Sequence, residues 1–213
     1  MKEMKFRWIV MAGLIITAIA TNAQEAKKPA SNNKFVISLS DSKVNWTGKK
    51  PGGSHEGFVS LASGELKVDK NEIKGGSFVI DLGSIVNTDL KDADMNDKLV
   101  GHLKSADFFD VQKFPTARFE ITKVTKLNGN AAAGAPKSTH NIEGNLTIKG
   151  VTKKVSFDAS INMLNGKLTA SSLPFTIDRT QWGVNYQSKS IFAELKDQFI
   201  YDEITLAVDL LTK

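Results

Sequence analysis

An all-β fold is what this sequence predicts: an eight-stranded antiparallel up-and-down barrel with a short helix in the 92–109 connection. Three observations lead there. Apolar and polar residues alternate with period two along most of the chain, the mark of a sheet wetted on one face. Most alternating stretches are separated by short Gly-bearing turns. A single long connection carries helical spacing instead, with Met95, Leu99 and Leu103 four apart behind a run of acidic residues. A two-sheet sandwich would show the same alternation, but closure into a barrel removes exposed edges and suits the longer stretches.

The first residues lie outside that fold. Lys2, Lys5 and Arg7 precede an apolar run from Trp8 to Ala20, and Thr21-Asn22-Ala23 offers small residues for cleavage. This is the layout of a secretory signal peptide over residues 1–23. The apolar run is shorter than the ~20 residues a spanning helix needs. Export is therefore expected, to the periplasm or by secretion. Residues 24–34 are small and polar and read as a disordered leader. Residues 35–213 make a single barrel domain.

Within the domain, the first strand runs from Phe35 to about Gly48, with Phe35, Ile37 and Leu39 on one face, a bend near Asp41-Ser42, and Val44 and Trp46 beyond it. The second covers about Gly57 to Asp69 and is interrupted near Ser63-Gly64. The third runs from Ile73 to Leu82 with Phe78, Ile80 and Leu82 aligned. After the helical connection, Ala117, Phe119 and Ile121 oppose Arg118, Glu120 and Thr122. Ile142, Gly144, Leu146 and Ile148 alternate in the same way, as do Val155, Phe157, Ala159, Ile161 and Met163. The stretch from Lys167 to Ile177 shifts phase around Ser171-Ser172, as a bulge does. The last strand, about Phe199 to Leu211, aligns Ile204, Leu206, Val208 and Leu210. Turns are expected at Gly75-Gly76, Lys149-Gly150 and Asn165-Gly166. Asp178 to Ser190 reads as a turn of helix or a wide loop, and residues 131–136 as a low-complexity loop tip.

The inward lists contain no charge and mix large side chains with Gly144 and Ala159, which suits an apolar guest. An eight-stranded barrel can hold one small ligand or fill itself with side chains, and alternation alone fits both. Burying roughly ten methylenes at ~0.8 kcal/mol each yields ~8 kcal/mol before the costs of association. The residues placed along such a pocket are Trp46, Phe78, Ile80, Phe108, Phe109, Phe119, Ile121, Leu146, Ile148, Phe157, Ile161 and Leu206. Phe108 and Phe109 end a connecting segment, where apolar aromatics are out of place unless they plug one barrel end or anchor the helix outside the wall. His55, Arg179 and Trp182 are candidates for the mouth or a ligand head group. Lys49 and Lys50 are likewise candidates to meet an anionic head, with solvated turn lysines as the competing reading. A guanidinium suits bidentate phosphate contact and an indole offers apolar area with one donor. The competing readings are a glycine-rich hairpin tip for His55 and a structural corner for Arg179 and Trp182.

Other chemistry is poorly supported. The chain has no cysteine, so an exported fold must rest on its core without disulfides. Its formal charge of +5 falls to +3 once Lys2, Glu3, Lys5 and Arg7 are removed. Lysines are interspersed with acids rather than clustered, so no nucleic-acid partner is expected. His55, His102 and His140 have no metal-ligand spacing, and neither a nucleophile elbow nor a phosphate-cradling loop is present. No catalytic residue, metal or cofactor is expected.

Three segments, in order, resemble the YceI-like family of bacterial polyisoprenoid-binding proteins. They are HLKSADFFDVQKFPTARFE (102–120), GNLTIKGVTKKVSF (144–157) and Asp178-Arg179-Thr180-Gln181-Trp182-Gly183-Val184, with Trp46 and a following Gly upstream. The similarity spans roughly residues 40–211. It implies a lipocalin-like barrel in the periplasm holding a long isoprenoid chain with its polar head toward the opening. The chain departs from many relatives at residues 49–57 and in a 128–137 insertion. The function expected is thus binding of a polyisoprenoid or quinone-like chain for carriage, storage or sequestration, with an apolar lipid as partner and transient membrane contact. The alternatives are a solid-cored interaction protein with no lipid, or an enzyme acting on such a lipid through His55 or His102.

Overall fold

A computed structural model describes residues 33–127 and 137–213. The signal peptide, nearly all of the leader and the loop tip therefore lie outside the described residues. Eleven strands and one α-helix follow in chain order: β1 (Asn33–Val36), β2 (Lys43–Lys50), β3 (Gly53–Asp69), β4 (Glu72–Asp81), β5 (Val86–Asn87), α1 (Ala93–Lys104), β6 (Thr116–Lys126), β7 (His140–Ile148), β8 (Val151–Leu164), β9 (Lys167–Ser172), β10 (Phe175–Asp178) and β11 (Glu203–Leu211). The pairing order β3-β2-β11-β9-β8-β7-β6-β4 returns to β3 through a β3–β4 ladder, so eight antiparallel strands close a barrel. β1 and β10 continue β2 and β9 past bends, and β5 adds briefly to β3.

Bulges keep the pattern in phase. Along β6 the register shifts between Ile121 and Lys123, which returns Val124 to the inside after two outward residues. Similarly, β3 shifts between Leu61 and Ser63, where the sequence breaks its alternation. Leu173-Pro174 separates β9 from β10 at the predicted phase change, since Pro cannot donate to a ladder.

Four expectations need correction. Gly75-Gly76 is not a turn but lies inside β4. The turn is Lys70-Asn71, both with positive φ (49° and 63°). Glycine is required at position 76 because a Cβ would lie 2.8 Å from both Glu65 O and Leu66 Cδ2. The leader ends sooner than expected, since Asn33 and Lys34 pair with Val68 and Lys67. Leu39 and Met95 break from their apolar stripes and are exposed, because the chain bends after Ile37 and α1 turns only Leu99 and Leu103 inward. The helix stops at Lys104, where Ser105 caps it, so Phe108 and Phe109 lie in the turn beyond.

The two barrel ends are built differently. At one end are the β3–β4 and β8–β9 turns and the C-terminus. Here Ile37, Leu66, Val68 and Leu168 are fully or almost fully buried and form a floor. Leu168 N–H donates to Thr212 Oγ1 (2.8 Å), and Ile37 bridges to Thr212. The other end carries the β2–β3 hairpin, α1 and the long 179–202 connection. It holds the site.

Candidate functional site

The barrel encloses a cavity of about 250 Å³, lined almost wholly by carbon. On β11 its lining runs from Ile204 to Leu210, six strand steps or about 20 Å. A belt of phenylalanines crosses its middle: Phe78 to Phe119 at 6.4 Å between ring centroids, Phe119 to Phe157 at 5.6 Å, and Phe157 to Phe175 at 4.4 Å. Gly144 makes room for this belt, since a Cβ there would lie 2.3 Å from Phe119 Cζ. The space lies just below the ~300–1,000 Å³ of typical ligand sites. A slender chain fits such a tube better than a fused-ring body.

All twelve residues expected along the pocket face this cavity, as do His55, Arg179 and Trp182. Phe108 is buried and Phe109 half-buried; with Leu99 and Leu103 they close much of the upper end. Several bonds hold the turn that presents them. Phe109 N–H donates to Leu103 O (3.2 Å), Asp110 N–H to Ser105 O (2.8 Å), and Lys149 Nζ to Phe108 O (2.7 Å). The Phe108 ring meets His102 edge-on at 5.2 Å, and the Arg179 guanidinium lies over it at 5.5 Å.

For Arg179 and Trp182 the geometry is that of a corner. The Arg179 side chain is buried and donates from Nε to Tyr201 O (3.2 Å), from Nη1 to Val184 O (2.6 Å) and from Nη2 to Ile200 O (3.1 Å). Asp202 stands 3.6 Å from Nη2. Burial lowers the guanidinium pKa, opposed by the neighbouring Asp202 and Asp178 charges. Trp182 donates its indole N–H to Leu146 O at 3.0 Å. Arg179 spends its donors closing the 179–202 connection on itself, and Trp182 ties that connection to the barrel wall at Leu146.

The rim opposite is polar and accessible. Gly48, Lys49, Lys50 and His55 line the opening on the β2–β3 hairpin, facing Ile200 and Tyr201. Tyr201 N–H donates to Lys49 O at 3.0 Å. His55 Nδ1 lies 2.8 Å from Asp89 Oδ2. Asp89 Oδ1 accepts from Glu56 N–H (2.9 Å) and from Asn87 Nδ2. Desolvation works against the Asp89 carboxylate, yet the bonds from Glu56, His55 and Asn87 hold its pKa down at about 2. Asn96 of α1 reaches back to Asn87 O (3.1 Å) and Leu90 O (3.1 Å), so this network ties the hairpin to the helix. Sequence reading missed Asp89, Asn87 and Asn96, because the contact joins a hairpin to a residue 34 positions away. It also left out Phe175 and Ile177, although their shared parity after Pro174 was a usable signal.

Residues 35–211 match the model of the YceI-like domain. The chain belongs to the YceI-like family. A UPF0312 protein of Staphylococcus aureus (strain bovine RF122 / ET3-1) is 29% identical over 140 residues, 63% of this chain and 69% of that one. A UPF0312 protein of Pseudomonas putida is 40% identical over 85 residues, 37% of this chain and 38% of its own. Among solved structures, Burkholderia cenocepacia BcnA superposes with a TM-score of 0.60 at 25% identity, over 83% of this YceI-like chain and 99% of that one. A polyisoprenoid binding domain from Saccharophagus degradans shares the fold with a TM-score of 0.57 at 14% identity, over 84% and 97% of the two chains. Among the described residues, no group of three or more His, Cys, Asp or Glu side chains is placed to hold a metal ion.

Proposed function

We propose that this protein binds a lipid with a long apolar chain of isoprenoid type, threads that chain down the barrel, and carries or sequesters it in the periplasm. The observation that carries this reading is the cavity itself, carbon-lined, with a packed floor at one end and, among the described residues, a polar rim at the other. Membership of the YceI-like family and the likeness to a polyisoprenoid binding domain support the ligand class. The basic, apolar and small-residue order of residues 1–23 supports export. In this reading Lys49, Lys50 and His55 meet the head group, and Phe108 and Phe109 shield the chain from water. No reacting atom or activated nucleophile is required: binding is burial of methylenes against the phenylalanine belt.

The test is mass spectrometry of the protein exported to a bacterial periplasm, first native and then after solvent extraction. A prenyl lipid bound at one per chain is the expected result. Protein that carries none, and takes up none when prenyl lipids are offered, would move the function to an outer surface.

A further inference from the structure

Two tryptophans line the cavity, and they differ in one respect. Trp182 Nε1 donates to Leu146 O, whereas Trp46 Nε1 is buried and meets no acceptor among the described residues. Buried donors left unpaired are costly and uncommon, and each calls for a physical explanation. No acceptor among the described residues lies within hydrogen-bond reach of Trp46 Nε1. Across β2 it faces Leu206 on one side and Gly57 on the other. Gly57 admits no side chain, since a Cβ would lie 1.9 Å from Val86 O and 2.9 Å from Trp46 Cζ2.

The depth of this donor is informative. Trp46 precedes Gly48 by two residues, and Gly48 pairs with the rim residue His55. Two strand steps put the indole roughly 7 Å below the opening. The cationic groups Lys49 and Lys50 stand above it on the same hairpin, while the wall at its own level is apolar. A charged oxygen belongs at the rim beside those lysines. An uncharged oxygen can descend to the indole.

Resting on the carrier reading, we infer that the ligand bears an uncharged hydrogen-bond acceptor, such as a carbonyl or ester oxygen, at the head end of its apolar chain, and that Trp46 Nε1–H receives it. The two tryptophans then divide the work. Trp182 holds the wall, and Trp46 distinguishes an oxygen-headed prenyl lipid from a plain hydrocarbon.

The test offers the wild-type protein and Trp46→Phe a long-chain prenyl ketone and the hydrocarbon of the same skeleton. Phenylalanine keeps an aromatic ring at the position and removes only the donor and part of the area. The substitution is expected to weaken ketone binding about tenfold while changing hydrocarbon binding by less than about threefold. In parallel, the indole ¹⁵N–¹H resonance of Trp46 in the wild-type protein should move downfield on adding ketone and stay nearly still on adding hydrocarbon. That second readout decides the matter even if the variant does not fold. Equal losses for both ligands, or an indole resonance indifferent to the ketone, would overturn the inference and leave the carrier reading standing. Failure of the wild-type protein to bind either ligand would overturn both.

Discussion

The barrel's floor and its mouth are made from the same alternating strands yet closed by opposite means. The floor is closed by the strands' own aliphatic side chains, with Ile37 and Leu168 fully buried and their backbones bonded to Thr212 and Gly64. The mouth is closed by connections: the α1 turn with Phe108 and Phe109, and the 179–202 segment locked by Arg179. Strand packing gives a permanent seal. Connections held by side-chain-to-carbonyl bonds can part locally at lower cost than a core ladder. The difference assigns the two ends their roles, and each substitution below probes one side of it.

The largest loss is expected at the locked corner. Arg179→Ala strands three carbonyls and leaves Asp202 without its nearby cation, which should cost about 3–5 kcal/mol. Calorimetry should show a fall in Tm of about 10 °C. If Arg179 were instead a head-group ligand, affinity would fall and Tm would hardly move. Next comes the floor. Leu168→Ala empties a fully buried site and should cost about 2–4 kcal/mol by denaturant titration. On the carrier reading proposed above, prenyl-lipid association should stay fast in that variant, because admission would be at the other end.

A smaller effect tests the belt between the two ends. Gly144→Ala drives a methyl group against Phe119 and should cost about 1–3 kcal/mol. The displaced ring should also narrow the tube and weaken chain binding in a lipid-competition assay.

The smallest effect concerns pH. The Asp89 carboxyl is held near pKa 2 in the fold, by bonds from Glu56, His55 and Asn87 that outweigh desolvation, against about 3.9 when unfolded. A depressed carboxylate contributes stability that is complete above the unfolded value and lost as pH falls toward the folded one. The Tm advantage of wild type over Asp89→Asn should therefore be level from pH 7 to 5 and shrink between about pH 4 and 2. Glu72, at the floor end, is also held at about 2, by hydrogen bonds from Lys126 and Lys74. It is solvent-exposed, and its removal should alter the acid limb little.

How far the fold could be read in advance follows the same division. The walls were legible because most strands repeat a two-residue period, and inward parity placed the ten strand residues of the expected pocket on the cavity; Phe108 and Phe109 came instead from their odd place in a connection. The bulge at Ser63 was legible because it broke that period, whereas the phase change read at Ser171-Ser172 is a strand break at Leu173-Pro174 and the bulge after Ile121 went unread. The ends were not legible. Floor residues such as Leu168 and Ile37 look like any other strand aliphatics until the C-terminal bridge brings Thr212 beside them. The mouth network joins His55 to Asp89 and Asn96 across a connection with no fixed period, so no local pattern announces it. Nor can sequence separate the two indoles, since the partner of Trp182 is a carbonyl on a different strand. Gly75-Gly76 misled because glycine pairs mark turns, whereas here Gly76 clears space between β3 and β6.

The most direct measurement places the chain inside the barrel. Prenyl lipids carrying a nitroxide at the tail or at the head would be added to ¹⁵N-labelled protein, and paramagnetic broadening mapped residue by residue. The tail label should broaden Leu66, Ile73 and Ile121 near the floor, and the head label Gly48, His55 and Tyr201 at the rim. Broadening confined to the outer surface, or the same pattern from both labels, would contradict a lipid threaded through the mouth toward a closed floor.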